Sequence, residues 1–177
     1  IARKAGLVQR DGDVIDAGTG IDKLEFEGVT PGNYYVSVKH RNHLGTMTAG
    51  LVELKATPPL VDFTLPTTPV YGNYARIESK GYALLWAGNA NSNKNLIANG
   101  PDQDTSILLG DVLVAKANSS FSTNYILEGY RATDLTLNGE TVFAGPGNDV
   151  NLLLGNVLLH PGNSTFSANF IIQEQLP

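Results

Sequence analysis

The side chains best suited to chemistry in this sequence are oxygen donors set at alternating positions. "TDLTLNGETVFAGPGND" runs from Thr133 to Asp149. Asp134, Thr136 and Asn138 occupy every second place, Gly139 permits a sharp turn, and the Glu140 carbonyl follows. Calcium takes about six to eight oxygens, and an alternating D-x-N-x-D-G loop aims its side chains at one ion. Asp149 would close the shell from the start of the next helix, beyond a Gly-Pro turn that lengthens the loop. A second, weaker set comprises Asn89, Asn91, Asn93, the Asn95 carbonyl and Asp104, with Lys94 standing where the glycine was. Affinity falls as carboxylates are removed, so Ca2+ is expected in the second loop ahead of the first. For Asp104 and Asp149 themselves, helix N-capping is the stronger reading, and the two roles can coexist.

Other chemistry is thin. His40 and His43 in "KHRNHLG" fall on opposite faces of a regular strand, and three histidines in all make no ligand cluster. His160 precedes Pro161 at a helix end, where a cation suits the dipole. Ser119, Ser120 and Ser122 sit in no nucleophile elbow. "NGPDQD" and "AGPGND" lack the Lys-Ser/Thr of a phosphate loop. The carboxylates are too scattered to define a glycosidase pair. The expectation is a non-enzymatic protein. Trp86 with Tyr82 and Tyr74 could form a sugar-stacking platform, but a lone Trp beside Leu84 and Leu85 reads as core. Asn118 and Asn163 each begin an N-glycosylation-type triplet. The net charge of -5 argues against a nucleic-acid surface, no apolar run is long enough to span a bilayer, and the absence of cysteine excludes disulfides and thiolates.

The elements that must position these groups are short. "KLEFEGV", "NYYVSVKH", "AGLVELKA" and "LVDFTL" alternate or cluster apolar residues between turn signals, as in an antiparallel β-sandwich. Prolines near 68–72 mark the passage to a second part. There the sequence repeats itself at an offset of 45 residues, Asn89 falling on Asp134. Gly100-Pro101 matches Gly145-Pro146, Asp104 matches Asp149, and Leu108, Val112, Asn118, Phe121 and Asn124 match Leu153, Val157, Asn163, Phe166 and Asn169. Each copy reads as polar loop, short β stretch (Leu96-Ile97; Thr141-Val142-Phe143), Gly-Pro turn and apolar helix. One unit cannot bury its apolar face alone, so the copies are expected to pair stretch against stretch and helix against helix.

The motifs "QRDGDVID", "GVTPGNYYVSVKHRNHLGTMT", "YALLWAGNANSNKN", "GPGNDVNLLLGNVL" and "FIIQEQLP" together resemble the C-terminal region of secreted hemagglutinin-like or adhesin-like surface proteins of Bacteroidota, over nearly the whole chain. The resemblance implies an exported bacterial protein with dockerin-like calcium loops, although Asn89, Asn93, Lys94, Thr136 and Asn138 are weaker than the family residues. It also implies a β segment before "LVQRDGDV" that is missing after Ile1, and a natural C-terminus at "QEQLP". The expected fold is mainly β with some α. It comprises an Ig- or transthyretin-like β-sandwich over 1–70, then a two-repeat loop–helix (dockerin/EF-hand-like) module over 71–177, with repeats at about 89–126 and 134–171. A sandwich short of a strand and an apolar tail containing Phe166, Phe170, Ile171 and Ile172 point to strand donation between subunits. Head-to-tail donation builds a filament at the cell surface; the alternative places the tail on its own chain. The competing function is a monomeric adhesion or carbohydrate-binding module, with surface glycans as partners, at the end of a larger secreted protein.

Overall fold

A computed structural model describes residues 1–9 and 11–176. The fold is mainly β with two helices, and no helix among the described residues is long and apolar enough to cross a membrane. The strands are short and pair as six two-stranded antiparallel ladders.

The first ladder is the hairpin of β1 (Gly6–Val8) and β2 (Val14–Asp16). Next comes one long, broken hairpin. Its outward arm is β3 (Gly32–Tyr34) and β4 (Ser37–His40); its return arm is β5 (His43–Met47) and β6 (Val52–Leu54). β3 pairs with β6, and β4 with β5. At the break, Thr48 N–H donates to the Val36 carbonyl and Val36 N–H to Thr48 Oγ1, so the chain bends without stranding these groups. The other side of β5 is lined by later segments: Leu44 N–H donates to Trp86 O, and Tyr71 N–H to Met47 O. A third hairpin joins β7 (Ile77–Ser79) and β8 (Tyr82–Leu84). Its turn residues Lys80 and Gly81 both have positive φ, which matches the twist of the flanking strands.

The repeats supply β9 (Asn95–Ile97), α1 (Asp104–Leu113) and β10 (Ile126–Glu128), then β11 (Glu140–Val142), α2 (Asp149–Leu159) and β12 (Ile171–Gln173). The expected pairing of β9 with β11 does not occur. Instead β10, at the end of the first copy, pairs with β11 of the second, and β12, at the end of the second, pairs with β9 of the first. The registers are equivalent: Ile126 faces Val142 as Ile171 faces Ile97, and Leu127 faces Thr141 as Ile172 faces Leu96. The physical reason lies in Leu127 and Ile172. Each trailing strand carries one buried apolar side chain, which reaches the core only by lying on the other copy.

That core gathers Leu96, Leu108, Leu135, Leu153, Val157 and Ile172 from the repeats, with Leu44 and Trp86 from earlier segments. Leu108 and Val112, like Leu153 and Val157, are four apart on one helix face and fully buried. Leu44 is the first buried apolar side chain of the chain among the described residues. Leu7, Val8, Ile21, Phe26 and Tyr35 are all exposed.

Gly110 and Gly155 lie inside α1 and α2, and a Cβ at either would meet nothing within 4 Å. Alanine at either position is therefore expected to stabilise by about 0.5–1 kcal/mol through helix propensity alone. Urea unfolding of the two single variants and the double variant measures this, with additive effects.

Candidate functional site

The two repeat loops are built around buried carboxylates. Asp149 Oδ1 accepts from the backbone N–H groups of Leu135 (2.8 Å) and Thr136 (3.0 Å), and Oδ2 from Val142 (2.8 Å). Asp104 does the same in the first copy, taking Asn91 N–H on Oδ1 (3.2 Å) and Ile97 N–H on Oδ2 (2.9 Å). Both carboxylates are buried at helix starts. They tie the loop that precedes β9 or β11 to the helix that follows it. Capping α2 falls to Asn148, whose side chain accepts from Asn151 N–H, so the N-cap reading of Asp149 moves back by one residue. Gln103 is the corresponding cap residue of α1 and makes no side-chain cap bond. Burial pushes the Asp104 carboxyl up to about 6, against the pull of the N–H donors.

The other oxygens expected to hold calcium are turned to the loop itself. Asp134 accepts Asn138 N–H and Gly139 N–H at 3.1 Å each. Asn138 Oδ1 accepts Glu140 N–H, Asn91 Oδ1 accepts Asn93 N–H, and Asn93 Oδ1 accepts Asn95 N–H. These last three are bonds to the amide two residues on, the ordinary geometry of Asx turns. Thr136 is exposed. Of these expected donors only Asn89 has a side-chain oxygen that is buried without a partner. Among the described residues, no three carboxylate or imidazole groups come together as a metal site. Each oxygen of the closing aspartates accepts at least one backbone amide, and Asp149 Oδ1 accepts two, so main-chain donors already hold both loops closed.

A cation does stand at the second loop, and it is Arg41. Its Nη2 lies 3.6 Å from Asp134 Oδ2, its Nε donates to the Arg131 carbonyl (2.9 Å), and its guanidinium covers the Tyr130 ring at 3.9 Å. Arg41 and Asn42 form the turn between β4 and β5. Asn42 is fully buried: Nδ2 donates to the Asp134 carbonyl at 2.6 Å, and its backbone carbonyl accepts Gly88 and Asn89 N–H. One hairpin tip is thus hydrogen-bonded to both repeat copies. Sequence reasoning missed this contact; the only signal was a polar Arg-Asn pair at a turn flanked by β-prone residues.

The same turn corrects the placement of His40 and His43. A register shift in β4 and the two-residue turn set them opposite each other, not on opposite faces, with Nδ1 atoms 2.9 Å apart. Burial, then His40 and Arg41, hold the His43 imidazole down at about 3; burial and Arg41 also lower His40. Both are neutral rings within packing. His160 lies between Trp86 and Phe170, and burial lowers it too. Trp86 is core: its Nε1 donates to the Tyr74 carbonyl, and its ring is buried. No Ser or Thr hydroxyl is hydrogen-bonded to a histidine among the described residues.

Two further expectations are corrected. Asn118 and Asn163 are buried, not displayed for glycosylation. Asn118 Nδ2 donates to Val112 O and Ser122 O while Oδ1 accepts Ser122 N–H, and Asn163 repeats this with Val157 and Ser167. An amide with both hydrogens engaged inside a turn has no room for a glycan. The tail is also not free for another subunit. Ile171 and Ile172 belong to β12, Phe170 packs on His160, and Glu174 accepts Gly45 N–H (2.9 Å) and pairs with Lys39 (3.0 Å). Of the four, Phe166 and Ile171 keep exposed side chains, while Ile172 is buried and Phe170 half-buried. A seat on the same chain wins because its effective concentration exceeds that of any neighbour. No protein-family model, curated protein or solved structure matches this chain.

Asp149→Asn should cost roughly 2–3 kcal/mol, because one of its atoms would present N–H to a buried N–H. Chemical denaturation measures this loss. The neutral His43 gives a pH signature. Its proton affinity is lower folded than unfolded, so its stabilisation is present above pH 6.5 and is lost as pH falls toward about 3. Asp104 acts oppositely, its contribution falling as pH rises from 3.8 to about 6. The Tm difference between native protein and His43→Gln isolates the first effect and should shrink on acidification from pH 6.5.

Proposed function

We propose that the chain is a non-enzymatic structural subunit of an extracellular assembly on a bacterial surface, which grows when another copy completes its N-terminal β ladders. The observation that carries this reading is the open state of the first forty residues. They include strands, yet none of their apolar side chains is fully buried, and Leu7, Val8, Phe26 and Tyr35 are exposed. Two-stranded ladders with unpaired edges are templates for a further strand. An Ig- or transthyretin-like sandwich lacking strands would look this way, and a neighbouring copy is the simplest source of one. The dockerin-like module serves as the rigid base of this region, since the hairpin tip at Arg41 and Asn42 is bonded into it.

The donated element differs from the tail strand, which is bonded within its own chain. A second reading, a monomeric adhesion module of a larger secreted protein, draws on exposed aromatic turns in the repeats.

Leu7 in β1 and Leu51 just before β6 are exposed, so Leu7→Lys with Leu51→Lys should leave Tm unchanged while blocking association. Light scattering and negative-stain microscopy over a concentration series make the comparison. Native protein that stays a discrete monomer at every concentration would defeat the assembly reading.

A further inference from the structure

The two repeat copies serve as each other's comparison. Some exposed positions have diverged, as Lys116 to Pro161, while the polar Ser119 and Asn124 are kept as Ser164 and Asn169. Three exposed positions have stayed apolar. Val114 and Leu159 are 77% and 69% exposed, Phe121 and Phe166 are 71% and 68%, and Ile126 and Ile171 are 49% and 46%. The phenylalanines carry a further mark. Both have φ of +52°, a left-handed backbone that a bulky side chain disfavours and that Asn or Gly adopts readily. A strained residue kept in both copies, with its ring in water, has no packing reason to be phenylalanine, and such outliers collect at functional positions.

The turn that holds each ring is rigid. Asn118 bonds Val112 O and Ser122 O at 2.9 and 2.8 Å and accepts Ser122 N–H at 2.9 Å; Asn163 repeats this at 2.8, 2.9 and 2.9 Å. Phe121 N–H donates to Asn118 O, and Phe166 N–H to Asn163 O, both at 3.1 Å. The backbone that carries each ring is therefore fixed, which lowers the ordering cost of binding. Around Phe121 stand exposed Ser119, Ser120 and Thr123; around Phe166, Ser164 and Thr165. Their hydroxyls make no hydrogen bond within the chain among the described residues. Residues 118–127 and 161–173 carry no charge, with exposed Lys116 and Glu128 flanking the first turn only.

We propose that these two turns are paired binding sites for neutral carbohydrate. The chemistry points to that class over others. The two turns share no charged residue, so recognition of a charged partner is not what both copies retain. A purely apolar partner would strip water from the hydroxyls without replacing it. A neutral sugar offers both a C–H face for the ring and hydroxyls for the Ser and Thr side chains. Two equivalent sites in one rigid module suit a polymer of repeating units, where the second contact is intramolecular and avidity exceeds either single affinity. The proposal does not depend on how copies associate.

Affinity electrophoresis of the intact chain through gels containing mannan, laminarin, galactomannan or dextran tests it. At least one polysaccharide should retard the native protein. Phe121→Asn or Phe166→Asn alone should weaken retardation severalfold, and the double variant should abolish it. Tm should stay equal or rise in all three variants, because Asn tolerates the left-handed backbone. Native protein retarded by none of the four polymers would overturn the proposal, as would a double variant retarded like the native chain. A fall in Tm would make the rings structural. A concentration-dependent dimer lost in the double variant would assign them to a second copy of the chain.

Discussion

Two buried carboxylates set the terms for everything else in the repeat module. Asp104 and Asp149 draw in backbone N–H groups from the loop before and from the strand that the loop leads into. A carboxylate with no exposure is tolerable only if donors surround it. Here the donors come from main chain on two sides, so satisfying the charge and closing the loop are one event. Once the loop is closed, β9 and β11 have their positions, and each offers an edge. The trailing strands fill those edges reciprocally, and Leu127 and Ile172 complete the core from the far copy.

The N-terminal region is attached to this module by comparatively few groups, and those are well buried. Asn42 and Arg41 reach both copies from one turn, while Glu174 comes back from the tail to β5. The tail strand and the hairpin tip thus secure the same side of the molecule. Beyond that seam the first forty residues have strands but no core of their own, which separates a rigid base from an adaptable β surface.

Much of this was legible in the sequence, because repeats are visible without any structural model of the fold. The 45-residue offset located both loops, both helices and their apolar faces, whereas the turn signal at Pro31-Gly32-Asn33 falls on β3 and the hairpin turns lie at 41–42 and 80–81. The swapped pairing of β10 and β12 was not legible. Three-residue strands have no periodicity to show which partner they take, and only the need to bury Leu127 and Ile172 decides it. The calcium expectation came from side-chain types at alternate positions. Those types serve equally as Asx turns, and the choice between ion and amide depends on where the backbone N–H groups point. Arg41 was invisible as a loop partner because it lies 93 residues before Asp134 in the chain. The triplets at Asn118 and Asn163 matched a surface motif while their amides were needed inside a turn.

The central claim is that amide-to-carboxylate bonds suffice to close the repeat loops. Hydrogen exchange at the N–H groups of Ile97, Leu135, Thr136 and Val142 tests it directly, measured in chelator and again in millimolar calcium. The account predicts protection close to that of the helix interiors and equal in the two solutions. Rapid exchange at these four amides in chelator, slowed when calcium is added, would contradict it.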